Sequence, residues 1–219
     1  MAHFNASDVY FGTYARFVAP DKKTGAALGG PDNAVGDIGT IEWQLDQDKR
    51  QQAWLKNPYG ALIGHLNPMV SHTLAIYKAK GWEIRYVLSF TAYSDDVARS
   101  EYWGEAAIIA FAPRYAAQFE QFLSTFASRA ADGLRPDPDL NSQAVEAIAN
   151  DPSSWQPGAK VKIPQGDGRT AILKDHRTLH DKLLDQARRK NPGCYVIGWA
   201  FIFAVIAGVV WLLHSMGLF

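Results

Sequence analysis

Trp82-Glu83-Ile84-Arg85-Tyr86-Val87-Leu88-Ser89-Phe90-Thr91-Ala92-Tyr93 is the stretch that decides the fold class. In an extended chain Trp82, Ile84, Tyr86, Leu88, Phe90 and Ala92 point one way, and Glu83, Arg85, Ser89 and Thr91 the other. A period of two in a run rich in aromatic and aliphatic side chains is the mark of a strand with a buried face. After the charged stretch Ser94 to Glu101, a second apolar run from Glu105 to Ala112 reads as its antiparallel partner. These two strands form the expected centre of a sheet.

Helices flank this pair. On the N-terminal side, Asn67 can cap free backbone N–H groups, Pro68 suits the first helical position, and Gly81 follows the last turn. Val70, Leu74 and Tyr77 share one face of that helix, and Lys78 and Lys80 lie at the negative end of its dipole. On the C-terminal side, Pro113 opens a helix with Tyr115, Phe119, Phe122 and Phe126 at helical spacing and Gly133 beyond its end. Asp8 to Val18 and Thr40 to Leu45 read as further strands. The Gly-rich stretch from Asp21 to Gly39 reads as a long loop, and Gln47 to Leu55 as one or two helical turns. Asp139 to Asn150 reads as a short helix. Lys160–Ile163 and Arg169–Leu173 read as a hairpin about Gln165–Gly168, and Asp175 to Lys190 as a charged amphipathic helix.

The C-terminus is of another kind. Gly193 to Leu213 is an apolar run without a charged side chain; as a helix its length, roughly 30 Å, matches the hydrocarbon core of a bilayer. Tyr195, Trp199 and Trp211 supply amphipathic rings for anchoring at headgroup depth. Arg188, Arg189 and Lys190 precede the run and no Lys or Arg follows it, so the positive-inside rule places the N-terminal part in the cytoplasm. The same three cations can meet anionic lipid. Ala200, Ala204 and Gly208 repeat every four residues, giving a small-residue face on which two such helices can pair.

The expected fold is therefore α+β, a mainly antiparallel sheet packed by two or three helices, plus one C-terminal transmembrane helix. The expected organisation is a cytosolic α+β domain over 1–158, a hairpin and charged juxtamembrane helix over 159–192, a transmembrane anchor over 193–213 and a short tail over 214–219. Of the 219 residues, 22 are Lys or Arg and 22 are Asp or Glu, so no net field draws the chain to nucleic acid. Cys194 is the one cysteine, which excludes an internal disulfide. The N-terminus lacks the basic and long apolar regions of a secretory signal.

Sites for chemistry are few. The chain has no Gly-x-Ser-x-Gly elbow, no phosphate loop and no Cys-x-x-Cys pair. Asp95 and Asp96, with Glu101 and Glu105, gather carboxylates between the two central strands, where such groups can hold a divalent cation or act as acid and base; Arg99 offsets part of that charge. His65 and His72 flank the Asn67 cap and are the side chains suited to proton transfer near neutral pH. His176 and His180 have the i, i+4 spacing of zinc ligands, without a third ligand nearby or the glutamate of a zinc-protease helix. No catalytic, metal or cofactor site follows from these residues. The leading expectation is a single-pass membrane protein whose cytosolic domain binds a protein or ligand at the membrane surface, with the bilayer, another protein and a second copy of the chain as partners. The alternatives are a membrane-bound enzyme of unfamiliar type and an effector that disrupts its membrane by clustering spans.

Overall fold

Seven strands carry the architecture: β1 (Tyr10–Val18), β2 (Ile38–Leu45), β3 (Gln51–Lys56), β4 (Leu62–Leu66), β5 (Glu83–Asp95), β6 (Ser100–Phe111) and β7 (Thr170–Lys174). They are seen in a computed structural model that describes residues 4–46, 48–95, 100–158, 160–164, 169–178 and 181. Every pairing is antiparallel, in the order β2-β3-β4-β1-β6-β5-β7. The fold is α+β, as expected, with the β5–β6 hairpin at its centre, paired from Glu83–Phe111 to Asp95–Ser100.

The sheet does not stay open. β2 pairs with β3 along one edge and returns to β5 on the other through Ile38–Val87, Gly39–Tyr86 and Thr40–Arg85. Strands β1 to β6 thus close into a ring, so each of the six is paired on both sides and, among the described residues, only β7 is left as an edge. Inside it lie Phe17, Leu55, Tyr86, Leu88, Ala106 and Ile108, all buried. Closure needs a small residue at the seam. A Cβ on Gly39 would run into the Tyr86 ring and stand 2.5 Å from the Lys56 carbonyl oxygen.

The other face of the hairpin is buried too. Val87, Ala107, Ile109 and Phe111 pack under α3 (Ala116–Ala131) and α4 (Ser142–Asn150), which explains why β6 reads as a continuous apolar run rather than an alternating one. The aromatic stripe foreseen on α3 is core. Phe122 meets Tyr10, Phe119, Phe126 and Trp155 with ring centroids between 4.9 and 6.1 Å apart.

Helix α2 (Pro68–Ala79) forms as its caps dictate, with Asn67 accepting from the Val70 N–H at 2.9 Å. Its Ser71 hydroxyl accepts from the Ala53 N–H at 3.1 Å where β4 no longer pairs with β3. Replacing Asn67 by Ala should lower stability by about 1 kcal/mol, read as a drop in the urea midpoint at unchanged slope; an unchanged midpoint would remove the cap from the account.

Three local expectations are corrected. Gln51–Lys56 is strand β3, not helical turns: Ala53 and Leu55 are fully buried while their neighbours are not, and pairing on both sides outweighs the polar, helix-compatible composition. The Gly-rich stretch holds a short helix, α1 (Lys22–Ala27), capped by Asp21, and then Leu28, which is wholly buried. Thr170–Lys174 forms no hairpin with the 160–163 segment. It adds to β5 along Thr91–Ser94, while Lys160 bridges to Pro136.

The Pro- and Ser-rich stretch after Asn150 carries Trp155 into the core. Packing holds the chain together as one unit through Arg177, and Thr178–Phe219 forms a second. In that second unit Thr178 and Asp181 exchange hydrogen bonds in the reciprocal pattern that starts helices. Among the described residues no helix is long and apolar enough to cross a membrane. The run 193–213 lies outside the described residues, as do Arg188, Arg189, Lys190, Tyr195, Trp199, Trp211, Ala200, Ala204 and Gly208.

Candidate functional site

The turn from β2 to β3 sets up a groove. Asp46 Oδ1 accepts the N–H groups of Asp48 and Arg50 at 2.9 and 2.8 Å, and Lys49 turns the chain with a positive φ of 60°. On β3 itself, Gln52 and Trp54 stand on the face opposite the buried Ala53 and Leu55. On β4 the His65 ring lies 5.1 Å from the Trp54 ring. Two open chambers meet there, both lined by Asp46 and Gln52. One, of about 480 Å³, reaches Pro20, Leu45, Trp54 and His65. The other, of about 280 Å³, runs along the start of α2 to Pro68, His72 and Ala75.

His65 and His72 therefore line the two adjoining chambers, with Gln52 common to both. Gln52 Nε2 stands 2.9 Å from His65 Nδ1 and 3.5 Å from the Leu66 carbonyl oxygen. An amide nitrogen can only donate, so in this arrangement Nδ1 accepts and the imidazole proton sits on Nε2, where it can meet a ligand. Gln52 and Trp54 fall in the Gln47–Leu55 stretch whose composition suits helical turns, and Asp46 lies just before it, so none of the three stands out in the sequence as a groove residue. The one signal for a strand here is the short apolar run Ala53-Trp54-Leu55 between polar residues.

The acidic loop does not converge. Asp95 is exposed and accepts from Ser100 Oγ at 2.8 Å. Glu101 pairs with Arg16, and Glu105 pairs with the buried Arg135; Asp96 lies outside the described residues. The neighbouring strand β1 and a distant connector thus draw Glu101 and Glu105 to separate cations. His176 is exposed, with Nδ1 2.6 Å from Asp175, and His180 lies outside the described residues. Among the described residues no group of three or more His, Cys, Asp or Glu is placed to hold a metal ion.

A second cavity, of about 270 Å³, lies between Ser89, Arg135, Lys160 and His176, with Asp132 and Asp175 at its margin. Arg135 belongs to the connector after α3, which β1 clips in place: Tyr10 donates to the Pro138 carbonyl and Tyr14 to the Pro136 carbonyl, each at 2.7 Å. The Arg135 guanidinium lies 4.0 Å from the Tyr14 ring centroid and 5.3 Å from that of Phe90, so aromatic faces cover it. Burial, partly countered by Arg135, pushes the Tyr14 phenol up to about 12, so it stays protonated and able to donate. The Arg135 Nε and Nη1 atoms carry no hydrogen bond and are out of contact with solvent. They therefore face packed protein rather than the cavity, and this region is structural.

Comparison of the chain with protein-family models, with curated proteins and with solved structures finds no match.

Proposed function

We propose that this chain is a membrane-anchored binding module. In this reading Gly193–Leu213 spans a bilayer once, the domain faces the cytoplasm, and the groove over Gln52 receives a ligand from that side. The observation that carries the binding half is the groove: an open cleft holding a half-buried tryptophan, two histidines, an amide and a carboxylate with free hydrogen-bonding capacity. Such a mix of apolar surface and a few polar groups is typical of recognition sites. The bilayer is one partner and a protein the other; the face of Ala200, Ala204 and Gly208 supports pairing of two copies within the membrane.

Two measurements test the anchor. The full-length protein should stay in the membrane pellet through alkaline extraction, and protease added outside sealed vesicles of cytoplasm-out orientation should digest the domain. Val205→Asp with Val209→Asp, at about 2.5–3.5 kcal/mol for each charge near the helix centre, should release the chain to the supernatant. Recovery of the unaltered chain in the supernatant would refute the span, and protection from the protease would refute the orientation.

A further inference from the structure

We infer that the occupant of the groove is a basic side chain, an arginine or lysine, presented by a partner polypeptide. This rests on the binding reading above and assigns its ligand a chemistry. Four features of the groove point the same way.

The first is unspent acceptor capacity. Asp46 uses Oδ1 to hold the turn, while Oδ2 carries no hydrogen bond; Gln52 spends its amide nitrogen on His65 and leaves Oε1 free. A guanidinium or ammonium group offers donors and no acceptor, and so matches both atoms. The second is charge. Among the described residues the larger chamber is lined by Asp46 and Asp48 and by no Lys or Arg. Arg50 lines the adjoining chamber and is turned to Asp48 at 3.3 Å. The third is the aromatic wall. Trp54 lines the same chamber as those carboxylates, and an indole ring is the best side-chain partner for a cation. The fourth is the rim, where Leu45 stands 67% exposed; the methylene stem of a long basic side chain can cover such a residue while its charged head reaches inward. His65 Nε2–H then remains as a donor for a backbone carbonyl of the same partner, which an isolated cation would not supply.

The test uses the full-length chain in detergent micelles or nanodiscs, with three capped tripeptides as probes: acetyl-Gly-Arg-Gly-amide, acetyl-Gly-Gln-Gly-amide and acetyl-Gly-Glu-Gly-amide. The readout is the ¹⁵N–¹H spectrum, with the Trp54 indole signal assigned by its loss in Trp54→Phe. The arginine peptide should shift the Trp54 indole and the backbone amides of Asp46, Asp48 and Gln52, with an affinity that falls as salt rises. Asp46→Asn keeps an oxygen to hold the turn and removes the charge. It should weaken binding about five-fold, the weight of one partly exposed charge pair. Trp54→Leu is the independent second variant and should weaken binding as well, with the dispersion of the remaining signals reporting that each variant is folded. Equal shifts from the glutamine or glutamate peptide, or an unchanged affinity in Asp46→Asn, would overturn cation recognition while leaving the groove as a binding site. Absence of any shift with all three peptides would overturn both.

Discussion

Glu105→Gln should be among the most damaging single substitutions in the protein, costing about 3–5 kcal/mol of folding stability. The side chains of Arg135 and Glu105 are only 6% and 14% exposed, and the pair joins β6 to the connector behind α3. Removing the carboxylate charge leaves a guanidinium that already has two nitrogens without hydrogen bonds among Tyr14, Phe90 and the chain around them. A buried charge without its counter-ion costs far more than an intact pair contributes, because the desolvation of the survivor is no longer offset. The distinguishing measurement is the double variant. Glu105→Gln with Arg135→Met removes the orphaned charge and keeps an apolar side chain against the Tyr14 and Phe90 rings, so it should be more stable than Glu105→Gln alone in urea denaturation. If the double variant is no better, the damage comes from lost packing, and the ion-pair account fails.

Gly39→Val should open the ring. A side chain at this position meets the Tyr86 ring on one side and the Lys56 carbonyl on the other, and Tyr86 is itself fully buried inside the ring with little room to turn. Overpacking of a rigid seam costs about 1–3 kcal/mol in typical cores. The upper end is expected here because one obstacle is backbone. The signature is local as well as global: amides of Ile38–Thr40 and Arg85–Val87 should lose hydrogen-exchange protection more than those of the β5–β6 hairpin. Uniform loss of protection across both regions would mean that the seam is not a separate element of stability. Gly60, beside which a Cβ would meet nothing within 4 Å, has a positive φ of 86° and tests backbone strain rather than packing.

How much of this was legible beforehand follows from the range of each interaction. The run Trp82–Tyr93 announces a strand because its alternation is written in neighbouring residues, and the caps at Asn67 and the spacing of Phe119, Phe122 and Phe126 announce α2 and α3 in the same way. Along Gln52–Lys56 the alternation is one of burial in the fold, whereas in the sequence Ala53, Trp54 and Leu55 are a short continuous apolar run between polar residues, which fits a helix equally until β2 and β4 are seen on either side. The histidines at 65 and 72 were visible as residues, but not as linings of two adjoining chambers. The carboxylates at 95, 101 and 105 were visible as a cluster, yet Arg16 and Arg135, from distant parts of the chain, draw two of them apart.

The amino-acid sequence by itself determined the α+β class, the central antiparallel hairpin and the principal helices, since periodicity and capping act within a few residues. It also holds the apolar run at 193–213 on which the membrane proposal depends. Only the tertiary structure decided that the sheet closes on itself, that β7 joins β5, that Arg135 is buried against Glu105, and that Asp46, Gln52, Trp54 and His65 share a groove. Each of these is a contact between residues far apart in the chain. Its energy exists only once folding has met the entropic cost of bringing them together.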